Sequence, residues 1–563
     1  MEAWFLIIVT ACIAALLKAL VSSVLSKSKP KIPPGPRGFP IISRFQWLGI
    51  STTDLEAALR KLCTKFGPIV SLPIARSPFI FVSSRALAYQ ALVHDGAVFA
   101  ERPKPLPTAE IITSNQHNIS SASYGPNWRL FRRNLTAQIL HPSKAKEFSH
   151  ARTWALEILL NHLRVSSGQD HADAVKVMDH FRFSMFCLLV FMCFGDKLDE
   201  SQIKEIEAIQ HRQLTSFRYF AILNLWPSLT RILLRSRWNE LFDMRKKQIE
   251  VLIPKIRARK QLQDEAKIPD NQNNTNRLVT CYADSLLAME IPDGDSKRKL
   301  TDEQLVSFCS EFLNAGTDTT TTALQWIMAN LVKYPEIQAK LFEEIKGVVI
   351  GGEDAAEVGE HEVSKMPYLK AIVLEGLRRH PPGHFVLPHT VTQDAELGGY
   401  TVPKHSVINF MVADINMDPE VWEDPMQFKP ERFLSAEGKY EEFDITGSRE
   451  IKMMTFGAGR RICPGLGLAM LHLEYYVANL VLNFEWNAVD GDEVDLSEKQ
   501  EFTTVMKYPL QVHISPRQSC CCCCSNDSFD FFERLSLYVE VPQKVCHYPL
   551  HLTRLSTLCQ FLH

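Results

Sequence analysis

Along most of the chain apolar residues recur every three to four positions, the spacing that lines up one face of an α-helix. That period predicts helices around 127–140, 150–164, 175–195, 201–216, 240–262, 301–332, 335–349 and 366–379. Two short runs break it. "PIVSLPI" (68–74) and "PFIFVSS" (78–84) are rich in β-branched and aromatic residues between Gly and Pro, and read as strands. "LGLAMLHLEYYVANLVL", 466–482, is apolar nearly all round, which predicts a buried helix. "DEAKIPDNQNNTN", 264–276, is a polar surface connection. "FRYFAILNLWPSL", 217–229, is unusually apolar for a stretch between helices and fits either core or a second membrane contact. No internal repeat is present. The sum is a mainly α chain with small β-sheets, an α+β fold.

The N-terminus departs from this pattern. Trp4 to Leu25 is a run of 22 residues with one charge, Lys18, and as a helix it would span roughly 33 Å. That matches a bilayer core of about 30 Å. Lys18 opposes insertion by about 2.5 to 3.5 kcal/mol at a span's centre, but it lies in the last third, where it can snorkel. A cleaved signal peptide fits less well, because "MEA" is acidic and the apolar run is long. Lys27, Lys29 and Lys31 follow, so the positive-inside rule places the remainder in the cytosol. The glycosylation-type triplets at Asn118, Asn134 and Asn273 would then stay unmodified. Residues 29–40, "KPKIPPGPRGFP", hold five prolines and two glycines and form a semi-rigid hinge. The expected organisation is an anchor over 1–26, a proline-rich hinge over 27–43, a catalytic body over 44–518 and an atypical tail over 519–563.

Composition changes this picture little. The 563 residues are 46% hydrophobic and 22% charged, with a formal net charge of −2. No long block of one sign exists to neutralise many phosphates, which excludes a nucleic-acid binder of the usual kind. Cysteine usage says more. Seven of the fourteen cysteines are scattered singly, and the other seven crowd into the last 44 residues, five of them as the run Cys520 to Cys524. Consecutive cysteines cannot wrap one tetrahedral metal, and no second apolar span adjoins them for palmitoylation. The tail therefore reads as disordered or as a product of how the reading frame was assigned. A reducing cytosol also argues against a disulfide framework.

The candidate chemistry lies in "FGAGRRICPG", 456–465. A strand followed by G-x-G suggests a dinucleotide fingerprint, but the third glycine position is Ile462, and Pro464 interrupts the turn. Cys463 fits a metal ligand better. It precedes the N-terminus of the apolar 466–482 helix, whose positive dipole end and free N–H groups favour thiolate. Gly457, Gly459 and Gly465 permit close backbone approach, and Arg461 can neutralise an acidic group on whatever the thiolate binds. A merely structural cysteine would leave those glycines and arginines unexplained.

Phe456, Gly459, Arg461, Cys463 and Gly465 match F-x-x-G-x-R-x-C-x-G, and on these residues the chain resembles the cytochrome P-450 monooxygenases. Glu375-Gly376-Leu377-Arg378 is similar to the family's E-x-x-R, whose spacing puts both side chains on one helix face, and "FKPERF" supplies Arg432 as the third member of that ion cluster. "AGTDTT", 315–320, resembles the distal-helix motif. There Gly316 would let the helix open over the haem, while Thr319 and Asp318 relay protons to dioxygen. "WRLFR" fits W-x-x-x-R, so the resemblance implies that Trp128 and Arg132 bind a haem propionate, with Arg461 and His389 doing likewise. Arg129, Arg133 and Arg460 would offer a basic face to an acidic electron donor.

The resemblance spans roughly 30–517. The hinge and anchor look like those of plant microsomal A-type enzymes, and "RRHPPGHFVLPHTV" looks most like the plant subfamily 89A. It implies haem b (iron protoporphyrin IX) on Cys463, electrons from NADPH through NADPH-cytochrome P-450 reductase, and insertion of one atom of O2 into a small apolar plant metabolite. Thiolate donation favours O–O cleavage in this class. The expected location is the endoplasmic reticulum membrane, catalytic body facing the cytosol. The expected pocket draws on 105–123, Phe308, Phe312, Phe385 to Leu387 and Phe502 to Val505. Where many relatives read R-D-P, this chain has Asn416-Met417-Asp418-Pro419, which puts a local ion pair in question. A haem-thiolate isomerase or dehydratase typically lacks the distal threonine that is intact here. A non-catalytic haem sensor or electron carrier is at odds with the open distal side that "AGTDTT" implies.

Overall fold

A computed structural model of the chain describes residues 31–36, 52–72, 78–168, 173–265, 279–349, 357–489 and 493–517, together with Thr10. The expected anchor apart from Thr10, most of the hinge, most of the 264–276 connection with Asn273, and the tail from 518 onward lie outside the described residues. Helices dominate, and the ones that position the site are Pro126–Leu135 (α1), Val177–Phe194 (α2), Asp302–Lys333 (α3), Pro367–Arg379 (α4) and Leu466–Asn483 (α5).

The spine is α3. Thr301 accepts the N–H of Gln304 while the Gln304 side chain accepts the N–H of Thr301, a reciprocal cap that sets where the helix starts. From Gln304 to Val332 almost every side chain is buried, with Ala315 exposed midway. Against it lies α2, apolar all round and buried over most of its length. Among the described residues α2 is the one helix long and apolar enough to cross a bilayer, and its place in the core accounts for that composition. The two helices pack at Gly316, where a Cβ would stand 2.7 Å from Leu189 Cδ1. A Cβ there would oblige the Leu189 side chain to shift, so glycine eases the close packing, and α3 is continuous α-helix through it.

The strand signals at 68–74 and 78–84 become Ile69–Leu72 (β1) and Phe79–Val82 (β2), an antiparallel pair. His389–Thr390 (β3) and Val407–Phe410 (β4) complete a sheet of order β1-β2-β4-β3, with β2 and β4 parallel. A second sheet places Gln511–Pro516 between Phe484–Ala488 and Val175–Lys176. Glu498–Gln500 and Thr504–Met506 form a separate small hairpin.

Two expectations need refinement. The 127–140 helix is α-helical only to Leu135, and Thr136–Leu140 widens into a π-turn. The apolar 217–229 stretch is partly core and partly exposed surface. It folds as Phe217–Phe220, a 3-10 turn Ala221–Asn224 and Pro227–Leu233. Phe220 and Leu223 pack on Ile112, Trp238, Leu241 and Met244, while Trp226, Ile232 and Leu233 are exposed at 55%, 76% and 69%.

Candidate active site

The cysteine loop is turned by two left-handed glycines, Gly457 at φ 71° and Gly459 at φ 67°. They bring the N–H of Cys463 to the carbonyl of Phe456 at 2.9 Å. A Cβ on Gly459 would collide with the backbone oxygen of Leu92, so only glycine satisfies both the angle and the approach. Phe456 packs on the core, and Gly465 stands at the start of α5.

Burial pushes the Cys463 thiol up, outweighing the N–H of Gly465 and the guanidinium of Arg132, which both favour the thiolate. The residue nonetheless keeps accessible surface. A side chain with both properties faces a recess enclosed by protein. Deprotonation there calls for a cation stronger than the helix dipole, and a metal ion is one. Among the described residues no group of three or more His, Cys, Asp or Glu could hold a bare metal. A metal that brings most of its own ligands, as an iron porphyrin does, needs only the one thiolate that Cys463 offers.

The guanidiniums around the loop fit the carboxylates of such a group. Arg461 donates to the carbonyls of Ala100 (2.9 Å), Ile119 (3.2 Å) and Ala122 (2.6 Å) and lies 4.5 Å from the ring centroid of Trp128. Arg132 donates to Ile462 O at 2.5 Å and also approaches Trp128. Arg102, which no motif singled out, donates to the carbonyls of Ser120, Leu387 and Pro388. Burial pulls Arg461 down to about 10, aided by the neighbouring Arg132, and Arg102 down to about 9, aided by Arg461. Among the described residues none of the three forms a direct ion pair with a carboxylate, although Glu101 and Glu311 act on Arg102 and Arg461. Partly buried cations sharing one place, offset by these two carboxylates nearby but by no direct ion pair, leave room for an anionic guest.

Trp128 and His389 sit in this group but are otherwise engaged. The Trp128 N–H donates to Ile119 O at 3.1 Å. His389, on β3, donates Nδ1–H to Phe99 O at 2.7 Å. Burial, with Arg102 and Arg461 beside it, pulls His389 down to about 3. It is neutral in this setting, with its Nδ1 proton directed to Phe99 O. Glu311 of α3 holds the loop that receives these arginines, accepting Ile119 N and Ser120 N at 2.7 Å each. A single carboxylate within the mostly apolar 304–314 stretch was the signal for it.

On α3, Thr319 donates its hydroxyl to Ala315 O at 2.7 Å, and Ala315 and Thr319 form the accessible face of an otherwise buried helix. Burial pushes the Asp318 carboxyl up, opposed by Arg182 and His211. Its Oδ1 lies 3.7 Å from Arg182 Nε, which has no hydrogen-bond partner. Of the expected pocket residues, Phe308 packs edge-on against Phe131 and Phe312 against Tyr282, both buried. Leu387 and Phe502 are exposed, and Phe502 stacks on Phe217.

The ion cluster sits behind the loop. Glu375 and Arg378, both 0% exposed, form a bidentate pair at 2.6 and 2.8 Å, and Arg432 Nε reaches Glu375 Oε1 at 3.3 Å. Arg378 also donates to the carbonyls of Pro425 and Gln427. Asn416, at the R-D-P departure, is buried and ties two segments together. It donates to Arg378 O and Thr455 Oγ1 and accepts Met454 N at 2.7 Å. Asp418 pairs with Arg85 at 3.3 Å.

The family model for cytochrome P450 matches residues 33–514. A relative in Arabidopsis thaliana, cytochrome P450 89A9, is 48% identical over 91% of this chain and 99% of its own. The flavonoid 3'-monooxygenase of the same plant is 30% identical over 92% and 98%. A zebrafish cytochrome P450 solved with progesterone shares the fold at TM-score 0.66 and 22% identity, covering 83% of this chain and all of that one.

Proposed function

Because the chain belongs to the cytochrome P450 family and is a haem-thiolate monooxygenase, we propose that it hydroxylates a small apolar plant metabolite with electrons from NADPH through NADPH-cytochrome P-450 reductase. The observation that carries this reading is the Cys463 loop, one recessed thiol on a glycine-built turn with Arg461, Arg132 and Arg102 gathered around it. Bound haem supplies the activation of dioxygen, one atom going to product and the other to water with two electrons and two protons.

The chain's own residues do the rest. Cys463 would ligate the iron, and Arg461, Arg132 and Arg102 would bind the propionates. Phe456, Gly459 and Gly465 hold the loop's shape. Thr319, with Ala315 on the same face, presents a hydroxyl to the distal side, and Asp318, steadied by Arg182, holds the proton behind it. Trp128 backs the arginines, and Glu375, Arg378 and Arg432 brace the loop from behind.

For the partners, support is of two kinds. Arg129 and Arg460 both lie over the ring of Tyr124, which gathers them into one exposed basic face with Arg133 nearby, suited to an acidic flavoprotein. Trp226, Ile232 and Leu233 give the body an apolar surface for a bilayer, in keeping with an N-terminal anchor and an endoplasmic reticulum location facing the cytosol. In this reading the body begins after the 27–43 hinge and ends near 518, and the 519–563 tail takes no part in the chemistry.

The test is turnover by purified protein with reductase and NADPH under oxygen-18 dioxygen, using substrates chosen by haem spin-state shift from a plant metabolite extract. One labelled atom per product is expected. Product without label, isomeric with its substrate, would replace the reading by the isomerase.

A further inference from the structure

The turn at residues 118–122 has two sides. Asn118 Oδ1 accepts Ser121 N at 3.1 Å and Asn118 O accepts Ala122 N at 3.3 Å, which closes the turn and leaves the N–H groups of Ile119 and Ser120 without a partner inside it. One side chain of α3 takes both: Glu311 Oε2 accepts Ile119 N and Oε1 accepts Ser120 N, each at 2.7 Å. The peptide joining Ile119 to Ser120 is planar and trans, so its carbonyl points away from its N–H. While the N–H end rests on Glu311, the carbonyl end, Ile119 O, accepts Trp128 Nε1 at 3.1 Å and Arg461 at 3.2 Å. The next carbonyl, Ser120 O, accepts Arg102 Nε at 2.7 Å.

Glu311 stands one helical step of four residues before Ala315, which stands another four before Thr319, so all three lie along one stripe of α3. That stripe carries the accessible face of the helix. Its carboxylate and the guanidinium of Arg461 therefore sit at opposite ends of a single rigid peptide plane, and a change at one end is felt at the other. Charge acts along the same path, since Glu311 and Glu101 both act on Arg461 and Arg102. Glu101 holds the loop further on, its Oε1 accepting Tyr124 N at 3.1 Å.

We propose that Glu311 is a positioning residue for the haem: it fixes the Ile119–Ser120 peptide and with it the carbonyls on which Arg461 and Arg102 rest, so that the distal helix sets the grip on the propionates. This rests on the reading of Cys463 and the arginines as a haem site. Glutamine at 311 would offer one acceptor and set its own NH2 against the second backbone N–H, so one hydrogen bond is lost and the peptide is free to turn. Aspartate would keep both acceptors on a shorter stem.

Haem transfer from the full-length holoenzyme to an apoglobin acceptor tests it. Glu311→Gln should speed transfer about tenfold, and Glu311→Asp by less than Glu311→Gln does. Because Glu311 acts through Arg461, adding Glu311→Gln to Arg461→Lys should speed transfer by at most about a further threefold. Should the Gln protein not retain haem, the same cycle is read on Glu311→Asp, whose effect should shrink likewise in the Arg461→Lys background. Glu344→Gln is the matched control. Glu344 also accepts two backbone N–H groups, those of Tyr368 and Leu369 at 2.8 Å each, at the start of α4 and away from the arginines. It should lower the denaturation midpoint as Glu311→Gln does, yet leave the transfer rate within about twofold of wild type. A wild-type rate in both Glu311 variants, factors that multiply in the double variant, or transfer from Glu344→Gln as fast as from Glu311→Gln overturns the proposal. Failure of the haem-thiolate reading would show separately, as a wild-type reduced carbon-monoxide spectrum without the long-wavelength band.

Discussion

Arg461 illustrates how much one side chain can be asked to do. It spans three backbone carbonyls and the face of Trp128 with a fork that lysine lacks. Arg461→Lys keeps the charge and loses the reach, so haem should leave for an apoglobin acceptor about 10- to 100-fold faster. An unchanged transfer rate would remove Arg461 from the haem-binding set. The motif residues Phe456, Gly459, Arg461, Cys463 and Gly465 were legible because their types and spacing are fixed by one sharp turn. Arg102 was not. It reaches the same place from 359 positions away by bonding carbonyls of Ser120, Leu387 and Pro388, and bonds to backbone leave no trace in residue type. His389 was legible as a neighbour of the site, but its proton on Phe99 is a matter of tertiary geometry alone.

At the scale of elements, helix positions followed the 3.6-residue period because most helices bury one face. The short strands β3 and β4 were missed, since two to four residues show no period and their pairing partners lie far away in sequence. Gly316 shows a motif residue with a second cause. The sequence suggested an opening in α3, and the close crossing of α2 at Leu189 favours glycine there on packing grounds as well. The E-x-x-R helix carries a sharper expectation. Glu375→Gln would leave Arg378 buried with half its partner, costing about 3–5 kcal/mol in chemical denaturation and lowering haem content on purification. A change under about 1 kcal/mol would mean that the carbonyls of Asn416, Pro425 and Gln427 suffice. Gly459→Ala sets a left-handed angle against the Leu92 oxygen and should cost more than about 1 kcal/mol with loss of haem.

The whole molecule is set against acid. Burial is the main cause that pulls His380 to about 4 and His389 and His472 to about 3, so the unfolded chain binds protons that the native one refuses. Stability from these groups is complete above about pH 6.5 and is lost as pH falls through the folded values. Glu474 has the opposite sign. Burial raises it to about 7, so its stabilising share is present below about pH 4.5 and disappears as pH rises through 7. Glu474→Gln should therefore stabilise by about 1–3 kcal/mol at about pH 8 and do nothing near pH 4.5, measured by denaturant unfolding. Equal effects at both would place the carboxyl in solvent. The central claim, that Cys463 is the thiolate ligand of a haem, is tested most directly by the reduced carbon-monoxide difference spectrum of the purified protein and of Cys463→Ala. The wild type should show the long-wavelength band of a thiolate-ligated haem and the variant should lose it, whereas a variant that keeps haem with an unchanged spectrum would contradict the assignment.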